Sequence, residues 1–355
     1  MSAGRVPHAE RFHELDLLRG VAALWVVAFH YLREYHVLYG DPNAGFPHFP
    51  DGIGGVKLFF LISGFVIFMT LERSATGREF VVSRVSRLYP AYWTAVLITF
   101  TVGYLWPLPD QTGYSLSQLA VNLSMLQAYF YVPAVDGAYW SLAVELSFYV
   151  VMLALFELGL LKHIRIVSFI WIALDVTIML FRQHHIDIVP YRLGMLLSVP
   201  YANLFVAGIA FYDVRRRGWN RGAVLILAAS LAAQAAIAGV GDAGLVALFF
   251  LAFALALSGR LTVFCRSPLL WLGTISYSLY LTHQMLGYRV IMSLKSLGVS
   301  HLTASAIATV GALALASLIT LLVERPAQRA LRRLLLKRRP KAVEAAQPAV
   351  EKIRS

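Results

Sequence analysis

The chain has 355 residues, of which 59% are apolar and only 14% are charged, and its formal net charge is +12. Soluble domains average roughly 45–50% apolar and about 25% charged residues. This composition therefore excludes an ordinary soluble enzyme, a disordered chain and a disulfide scaffold. The Lys and Arg residues lie mainly in short segments between long apolar runs. That pattern is typical of membrane topology and argues against nucleic acid as a partner.

Ten apolar segments are long enough to cross a bilayer as helices, which requires about 20 residues each. They lie near 16–33, 53–71, 91–107, 138–157, 164–181, 193–213, 222–240, 243–259, 269–290 and 302–324. The first is predicted to be an uncleaved span, because it carries Arg19 and no small-residue cleavage site follows it. Residues 116–131 are apolar but short and are predicted to form a re-entrant or interfacial helix. The predicted fold class is all-α, a polytopic membrane protein with about ten transmembrane helices.

The distribution of basic residues predicts the orientation of these spans. The alternate loops that include both termini contain 24 Lys and Arg residues, whereas the opposite loops contain five. Because positively charged loops remain in the cytoplasm, both termini are predicted to be cytoplasmic. Residues 1–324 are predicted to form the transmembrane domain. Residues 325–355 are predicted to be a basic cytoplasmic tail that lies against the anionic leaflet.

Ionisable side chains inside membrane spans are costly and are therefore functional candidates. Four of them are predicted to lie at one depth on the outer side and to share a polar cavity: His30, Lys57, Glu145 and His283. Arg19 precedes His30 by eleven residues, which is about 16 Å along a helix and on the same face. Each of these groups also has a structural interpretation, such as snorkelling of Arg19. Asp175 lies in the middle of the fifth span and requires a partner that the sequence does not identify.

A second group of charges is predicted on the cytoplasmic side. Arg84 and Arg87 form an Arg-x-x-Arg pair just before the third predicted span. Residues three apart share a helix face, and two guanidinium groups there can clamp a phosphate or a carboxylate. Together with Arg19, the pair is predicted to hold a polyanion at the inner mouth. The alternative is that the pair only anchors the cytoplasmic end of the span.

Six segments carry a family resemblance. In chain order they are LDLLRGVAALWVVAFHY (15–31), GGVKLFFLISGFVIF (54–68), RVSRLYP (84–90), WSLAVELSFYV (140–150), ISYSLYLTHQ (275–284) and ERPAQR (324–329). Together they resemble the acyltransferase-3 family of integral membrane acyltransferases. The first reproduces its Arg-x10-His signature and the third its Arg-x-x-Arg-x-x-Pro motif. Lys57 departs from the pattern, since many relatives carry an acidic residue at that position.

The resemblance implies transfer of an acyl group, often acetyl, from cytoplasmic acyl-CoA to a hydroxyl of a sugar or surface glycan, in the bacterial inner membrane. Acyl-CoA is then a co-substrate, and no permanently bound cofactor or metal is expected. Arg19, Arg84 and Arg87 are expected to hold the donor. His30 is expected to act as general base on the acceptor hydroxyl, with Glu145 orienting it. Further candidate cavity residues are Lys57, His283, Trp140, Ser141 and Tyr277.

Three alternatives remain open at this stage. Buried charges also line the paths of membrane transporters, although no inverted repeat is evident in this sequence. A polyprenyl-sugar glycosyltransferase is disfavoured, because the first outer loop has only the isolated Asp41 and Asp51. Within the acyltransferase interpretation, the acyl group either moves directly to the acceptor or passes through a covalent intermediate on His30 or another nucleophile.

Overall fold

The computed structural model describes residues 12–40, 52–109 and 113–336, and the regular elements within those ranges are all helical. Eight helical segments are long and apolar enough to cross a membrane: His13–Tyr39, Ile53–Arg73, Gly77–Leu105, Gly137–Glu157, Leu160–Gln183, Arg221–Ala238, Val240–Leu257 and His301–Leu335. The chain is therefore an all-α polytopic membrane protein, as its composition predicts. The loop residues Asp41 and Asp51 lie outside the described residues.

The α-helices within the described ranges are α1 (His13–Phe29), α2 (Tyr35–Tyr39), α3 (Ile53–Arg73), α4 (Gly77–Leu105), α5 (Leu116–Leu123), α6 (Trp140–Glu157), α7 (Ile164–Gln183), α8 (Tyr191–Leu196), α9 (Ala202–Arg217), α10 (Arg221–Ala238), α11 (Val240–Leu257), α12 (Ser267–Thr282), α13 (Gln284–Ser296), α14 (His301–Ile319) and α15 (Arg325–Leu335). Two π-helices, His30–Glu34 and Thr320–Glu324, join α1 to α2 and α14 to α15. A short 3-10 helix, Gly137–Tyr139, leads directly into α6.

Two of the ten predicted spans are interrupted rather than continuous. The predicted span 193–213 is divided into α8 and α9 by residues 197–201, where Pro200 lacks a backbone donor and restricts the residue before it. Trp171, near the middle of α7, donates to the carbonyl of Leu197 at 2.8 Å. The interruption therefore lies at the mid-depth of α7. The predicted span 269–290 corresponds to α12 and α13, which meet at His283.

The third predicted span begins earlier in the structure than the sequence indicates. The prediction placed its start near residue 91, after Pro90, whereas α4 begins at Gly77 and contains Pro90 in its interior. The Thr76 side chain caps its start by accepting from the Glu79 amide at 3.2 Å. Arg84 and Arg87 therefore lie inside this helix and not before it, which corrects the predicted boundary.

Residues 116–131, predicted to form a re-entrant or interfacial helix, pack against the middle of α4. They contain α5 and a short 3-10 helix, Gln127–Phe130. Tyr92 of α4 donates to the carbonyl of Asn122 at 2.7 Å, and Tyr89 donates to that of Ser124 at 3.0 Å. These bonds tie the end of α5 to α4.

Glycine residues allow the helices around the candidate site to approach closely. A Cβ atom added at Gly273 of α12 would lie 1.9 Å from the carbonyl oxygen of Asp16 in α1. A Cβ atom at Gly64 of α3 would likewise lie 2.0 Å from the carbonyl oxygen of Phe205 in α9. Close backbone contact of this kind is a common way to pack helices in membranes. It places α1 directly between α3 and α12, both of which carry residues of the site.

The start of the predicted tail packs against the N-terminal half of α4. α15 begins at Arg325, and residues beyond 336 lie outside the described part of the chain. Arg332 donates to the hydroxyl of Ser83 at 2.6 Å, and Arg78 donates to the carbonyl of Leu335 at 2.9 Å. Thus α15 is attached to the transmembrane bundle through α4.

Candidate active site

Two cavities lie next to each other inside the bundle. The inner cavity, on the side predicted to face the cytoplasm, has a volume of about 70 Å³ and is lined by Arg19 and Arg84. The outer cavity has a volume of about 490 Å³ and is lined by His30. Val56 and Tyr280 line both cavities and therefore form part of the wall between them.

His30 lies at the first position of the π-helix that follows α1, and its ring contacts the ring of His283. The His30 Nδ1 atom lies 2.8 Å from the carbonyl oxygen of Val26 and 3.2 Å from His283 Nε2. The two ring centroids are 4.9 Å apart and the rings are nearly perpendicular. His283 is fully buried, and its carbonyl accepts from the Tyr31 hydroxyl at 2.6 Å. The structure thus joins two of the four outer-side candidates.

The backbone partners of both rings define their neutral tautomers. His283 Nδ1 lies 2.9 Å from the carbonyl oxygen of Tyr280, and His30 Nδ1 has Val26 as its carbonyl partner. A carbonyl oxygen only accepts, so each Nδ1 carries the proton. His283 Nε2, at 3.2 Å, is then a second and longer acceptor for the same His30 Nδ1–H group. In the neutral ring, the proton-accepting nitrogen of His30 is consequently Nε2.

Glu145 does not contact His30, and its predicted role as the orienting acid of His30 is corrected. Its Oε1 atom accepts from the Ser63 hydroxyl at 2.8 Å and from the Tyr149 hydroxyl at 2.5 Å. Glu145 lines the inner cavity with Arg19. Helices place residues of similar depth on different faces, and for this reason depth alone wrongly grouped Glu145 with His30.

Arg19 and Arg84 present incompletely satisfied guanidinium groups to the inner cavity. The Nε atoms of both are buried and have no hydrogen-bond partner within the described part of the chain. Arg84 Nη2 lies 3.0 Å from the Ser83 hydroxyl and 3.4 Å from that of Thr70. The cavity also contains the Glu145 carboxylate, so its three formal charges sum to +1. A buried cation requires a counterion or hydrogen bonds, and the cavity therefore suits an anionic group.

Arg87 differs from Arg84 because it already has a carboxylate partner. It forms an ion pair with Glu324, whose side chain is only 1% exposed, against 21% for Arg87. Its guanidinium also lies 5.7 Å from the ring centroid of Tyr277. Arg87 does not line the inner cavity. The structure therefore separates the predicted donor-binding triad into two cavity residues and one paired residue.

Lys57 belongs to a network of hydrogen-bonded polar side chains and does not line either cavity. It pairs with Asp242 of α11, and Asp242 also accepts from Gln234. Gln234 accepts from the Asn203 side chain at 2.7 Å, and the backbone amide of Asn203 donates to the Asp175 carboxylate at 3.2 Å. This network supplies the partner that Asp175 requires. Because Lys57 lines neither cavity, the prediction that it shares a polar cavity with His30 is wrong.

The three remaining candidates lie around the wall and the inner cavity. Trp140 lines the outer cavity, whereas Ser141 and Tyr277 line the inner one. The Tyr277 hydroxyl donates to the carbonyl of Leu88 at 3.1 Å. The Ser141 hydroxyl oxygen lies 2.5 Å from the hydroxyl oxygen of Tyr280. These contacts tie α12 to both α4 and α6 at the level of the wall.

Sequence reasoning missed the partners that complete the site. Ser63, Tyr149 and Tyr280 lie within the six family-like segments, but none of them is ionisable near neutral pH, so the cost of buried charge does not single them out. Glu324 was visible as the first residue of ERPAQR, directly after the last predicted span. No group of three or more potential metal-ligating side chains occurs among the residues that the structure describes.

Comparison with known proteins gives one family and several relatives. The family described as "Acyltransferase domain" matches residues 12–323. The chain is 28% identical over 265 residues to the exopolysaccharide production protein ExoZ of Rhizobium meliloti (strain 1021), covering 66% of this chain and 77% of that protein. It is 25% identical over 246 residues to the O-acetyl transferase of Shigella phage Sf6, covering 64% of this chain and 69% of that protein. It is 30% identical over 165 residues to nodulation protein 10 of Rhizobium leguminosarum bv. viciae, covering 41% and 44%. No solved structure matches the chain.

Proposed function

Because the chain belongs to the acyltransferase-3 family, and is accordingly a membrane acyltransferase, we propose that it moves an acyl group, acetyl in the simplest case, from cytoplasmic acyl-CoA to a hydroxyl of a cell-surface polysaccharide. The names of two relatives, an exopolysaccharide production protein and an O-acetyl transferase, support a sugar acceptor. The location proposed is the bacterial inner membrane. The observation that supports this assignment most directly is the pair of cavities that meet at one wall, the inner one cationic and the outer one containing His30.

The inner cavity is the proposed donor site. Arg19 and Arg84 would bind the phosphate groups of acyl-CoA through charge-assisted hydrogen bonds. The pantetheine arm spans on the order of 15–20 Å when it is extended. His30 follows Arg19 by about 16 Å along the helix axis. The thioester of a donor held by Arg19 would therefore reach the wall next to the outer cavity.

His30 is the proposed general base. Its Nε2 atom takes the proton of the acceptor hydroxyl while the hydroxyl oxygen attacks the thioester carbonyl carbon. The C–S bond then breaks, and the proton on His30 passes to the departing CoA thiolate, so the products are an O-acyl ester and free CoA. His283, in the role first predicted for Glu145, accepts from His30 Nδ1–H and fixes the ring orientation.

The test is acyl transfer by the purified full-length protein in proteoliposomes. Labelled acetyl-CoA is supplied with glycans extracted from the envelope of the native host, and both labelled glycan and free CoA thiol are measured. His30→Ala is expected to lower turnover by about 10²–10⁴-fold, while donor binding is retained. His184→Ala changes an exposed histidine and is the matched control.

Two outcomes would overturn the proposal. Wild-type turnover in His30→Ala would remove the histidine from the mechanism. A folded wild-type protein that neither binds acetyl-CoA nor cleaves the thioester would contradict the acyl-CoA assignment and favour a transporter. Labelled protein that accumulates without an acceptor would support a covalent intermediate rather than direct transfer.

A further inference from the structure

The wall between the two cavities presents a pair of hydroxyl groups. Tyr280 of α12 lines both cavities, and its hydroxyl oxygen lies 2.5 Å from the Ser141 hydroxyl of α6. Both side chains are buried. Val56, which completes this part of the wall, contributes only hydrocarbon. The hydroxyl pair therefore provides polar groups at the boundary between the inner cavity, with Arg19 and Arg84, and the outer cavity, with His30.

Both hydroxyl groups are held by the same backbone carbonyl. Tyr280 donates to the carbonyl of Ala138 at 2.9 Å, and Ser141 approaches the same carbonyl at 3.2 Å. Together they have two protons, and each hydroxyl is also able to accept. Either proton can therefore turn towards an incoming oxygen while the second continues to satisfy the Ala138 carbonyl. Rearrangement of this kind leaves no buried donor without a partner.

The proposed function places the reacting carbon at this wall. The donor enters from the inner cavity and the base acts in the outer cavity, so the thioester carbonyl must lie where the two cavities meet. Attack by the acceptor converts that carbonyl into a tetrahedral centre with a full negative charge on oxygen. Such an oxyanion requires donors that are already in position.

We infer that the hydroxyl groups of Tyr280 and Ser141 are the oxyanion donors of the transfer reaction, an inference that rests on the proposed function. The thioester carbonyl oxygen accepts from one of the two hydroxyl groups as the acceptor oxygen bonds to the carbonyl carbon, while the other hydroxyl continues to donate to the Ala138 carbonyl. The negative charge on that oxygen returns to re-form the C=O bond as the C–S bond breaks. No proton leaves either hydroxyl group, so both are unchanged at the end of the cycle.

The test is the rate of acetyl transfer by Tyr280→Phe, which retains the ring and removes only the hydroxyl. Loss of one oxyanion donor is expected to lower kcat by about 10²-fold. The KM for acetyl-CoA should remain unchanged, because the bond strengthens only in the transition state. Ser141→Ala should lower kcat in the same way. The double variant should lose less than the product of the two separate losses, because each donor partly compensates for the other.

Tyr139→Phe is the matched control. The Tyr139 hydroxyl also donates across the interface of the same two segments, to the carbonyl of Leu281 at 3.0 Å, but Tyr139 lines neither cavity. Its loss removes a comparable tyrosine–carbonyl hydrogen bond without touching the reacting atoms. The expected kcat of Tyr139→Phe is that of the wild type, and thermal unfolding in detergent checks that all variants fold.

The outcomes separate this inference from the function on which it depends. Wild-type kcat in Tyr280→Phe would overturn the oxyanion role and reduce Tyr280 to a packing residue of the wall. Equal losses of kcat in Tyr280→Phe and Tyr139→Phe would also overturn it, since they would indicate a structural cause. A wild-type protein that does not transfer acetyl from acetyl-CoA would overturn the proposed function, and the oxyanion role with it.

Discussion

Arg87 in the middle of α4 and Glu324 at the end of the second π-helix form an ion pair in which the carboxylate is buried. Glu324 also accepts from Ser278 at 3.0 Å and lies 3.4 Å from the Thr320 hydroxyl. The pair therefore connects α4, α12 and the junction between α14 and α15. Arg87 lies one helical turn from Arg84, yet only Arg87 is paired with Glu324. The two arginines of this motif therefore have different environments, and their substitutions should have different effects.

Arg84→Ala and Arg87→Ala are expected to fail in different ways. Arg84→Ala removes a cation from the inner cavity, so the KM for acyl-CoA should rise about tenfold or more, the equivalent of one charge-assisted hydrogen bond. Arg87→Ala leaves the Glu324 carboxylate buried without its cation, which costs about 3 kcal/mol. The protein level and thermal stability of Arg87→Ala should then fall. Protein level, thermal unfolding and the KM for acyl-CoA are measured for both variants.

Glu324→Gln in the Arg87→Ala background is the control for this difference. It removes the unpaired charge and should restore much of the lost stability, because the remaining amide still bonds to neighbouring hydroxyl groups. A raised KM with normal stability in Arg87→Ala would show instead that Arg87 contacts the donor.

His283 is expected to affect turnover through His30. His283→Ala removes one of the two acceptors that face His30 Nδ1–H, together with the ring that packs against it, so kcat should fall about tenfold to 100-fold, a part of what a general base supplies. The KM for acyl-CoA should stay near that of the wild type. His283→Gln offers an amide oxygen as a substitute acceptor and should retain more activity than His283→Ala. The measurements are steady-state kinetics of the purified variants.

Non-additivity checks that the two histidines act together. If His283 works only by orienting His30, the double variant His30→Ala/His283→Ala should be no slower than His30→Ala alone. A further loss in the double variant would contradict the positioning role, as would wild-type kcat in His283→Ala.

The sequence predicted the spans well where a helix is long, uniformly apolar and bounded by charge. The predicted start near residue 91 is wrong for α4, which begins at Gly77 and contains Pro90 in its interior, because a membrane-embedded helix can accommodate proline. The segment 193–213 is also predicted to be one helix, since the interruption near Pro200 lies within an otherwise apolar stretch. Hydropathy averaged over a window of residues measures how apolar a segment is. It does not reveal a local change in the direction of the backbone.

The residues of the site could be predicted by type but not by pairing. His30 and Arg19 share a face because both lie on one helix, and that relationship is fixed by periodicity. The contacts of Glu145 with Ser63, and of Lys57 with Asp242, depend on which helices are neighbours. Helix order in the membrane plane is a tertiary property, so depth along each span was insufficient to assign these partners.

Lys57 and Asp242 are expected to matter for stability rather than for catalysis. Lys57→Met should be destabilising, because it leaves the Asp242 carboxylate without its cation, and breaking a buried ion pair typically costs about 3–5 kcal/mol. The partial exposure of Asp242, 22% of its side chain, should reduce that cost. The double variant Lys57→Met/Asp242→Leu should recover much of the loss. Thermal unfolding in detergent gives the coupling between the two positions.

Activity per folded molecule should remain near the wild-type value in these variants, since Lys57 lines neither cavity. An inactive but fully stable Lys57→Met protein would contradict this assignment and return Lys57 to the site. Equal stability of the single and double variants would show that the ion pair does not stabilise the bundle.

Asp136 is expected to give the fold a dependence on pH. It is fully buried just before α6, where its carboxyl oxygens accept from the backbone amides of Ala138 at 2.9 Å and Met285 at 3.1 Å. Burial raises the pKa of Asp136 from 3.8 to about 6, although these amide bonds oppose the shift. The folded state therefore holds this proton at pH values where the unfolded chain has lost it.

The sign of the effect follows from that difference in proton binding. As the pH rises from about 4 to about 6, the unfolded state binds fewer protons than the folded state, so the free energy of unfolding decreases. Two pKa units correspond to about 3 kcal/mol, which sets the order of the loss. Asp136→Asn cannot ionise, so its stability should change less over this interval. Thermal unfolding of both proteins in detergent, measured between pH 4 and pH 7, isolates the contribution of Asp136 from those of other carboxyl groups. Parallel curves for the two proteins would show that Asp136 titrates at its ordinary pKa. If the wild type instead gained stability relative to Asp136→Asn as the pH rose, the pKa of Asp136 would be shifted in the opposite direction.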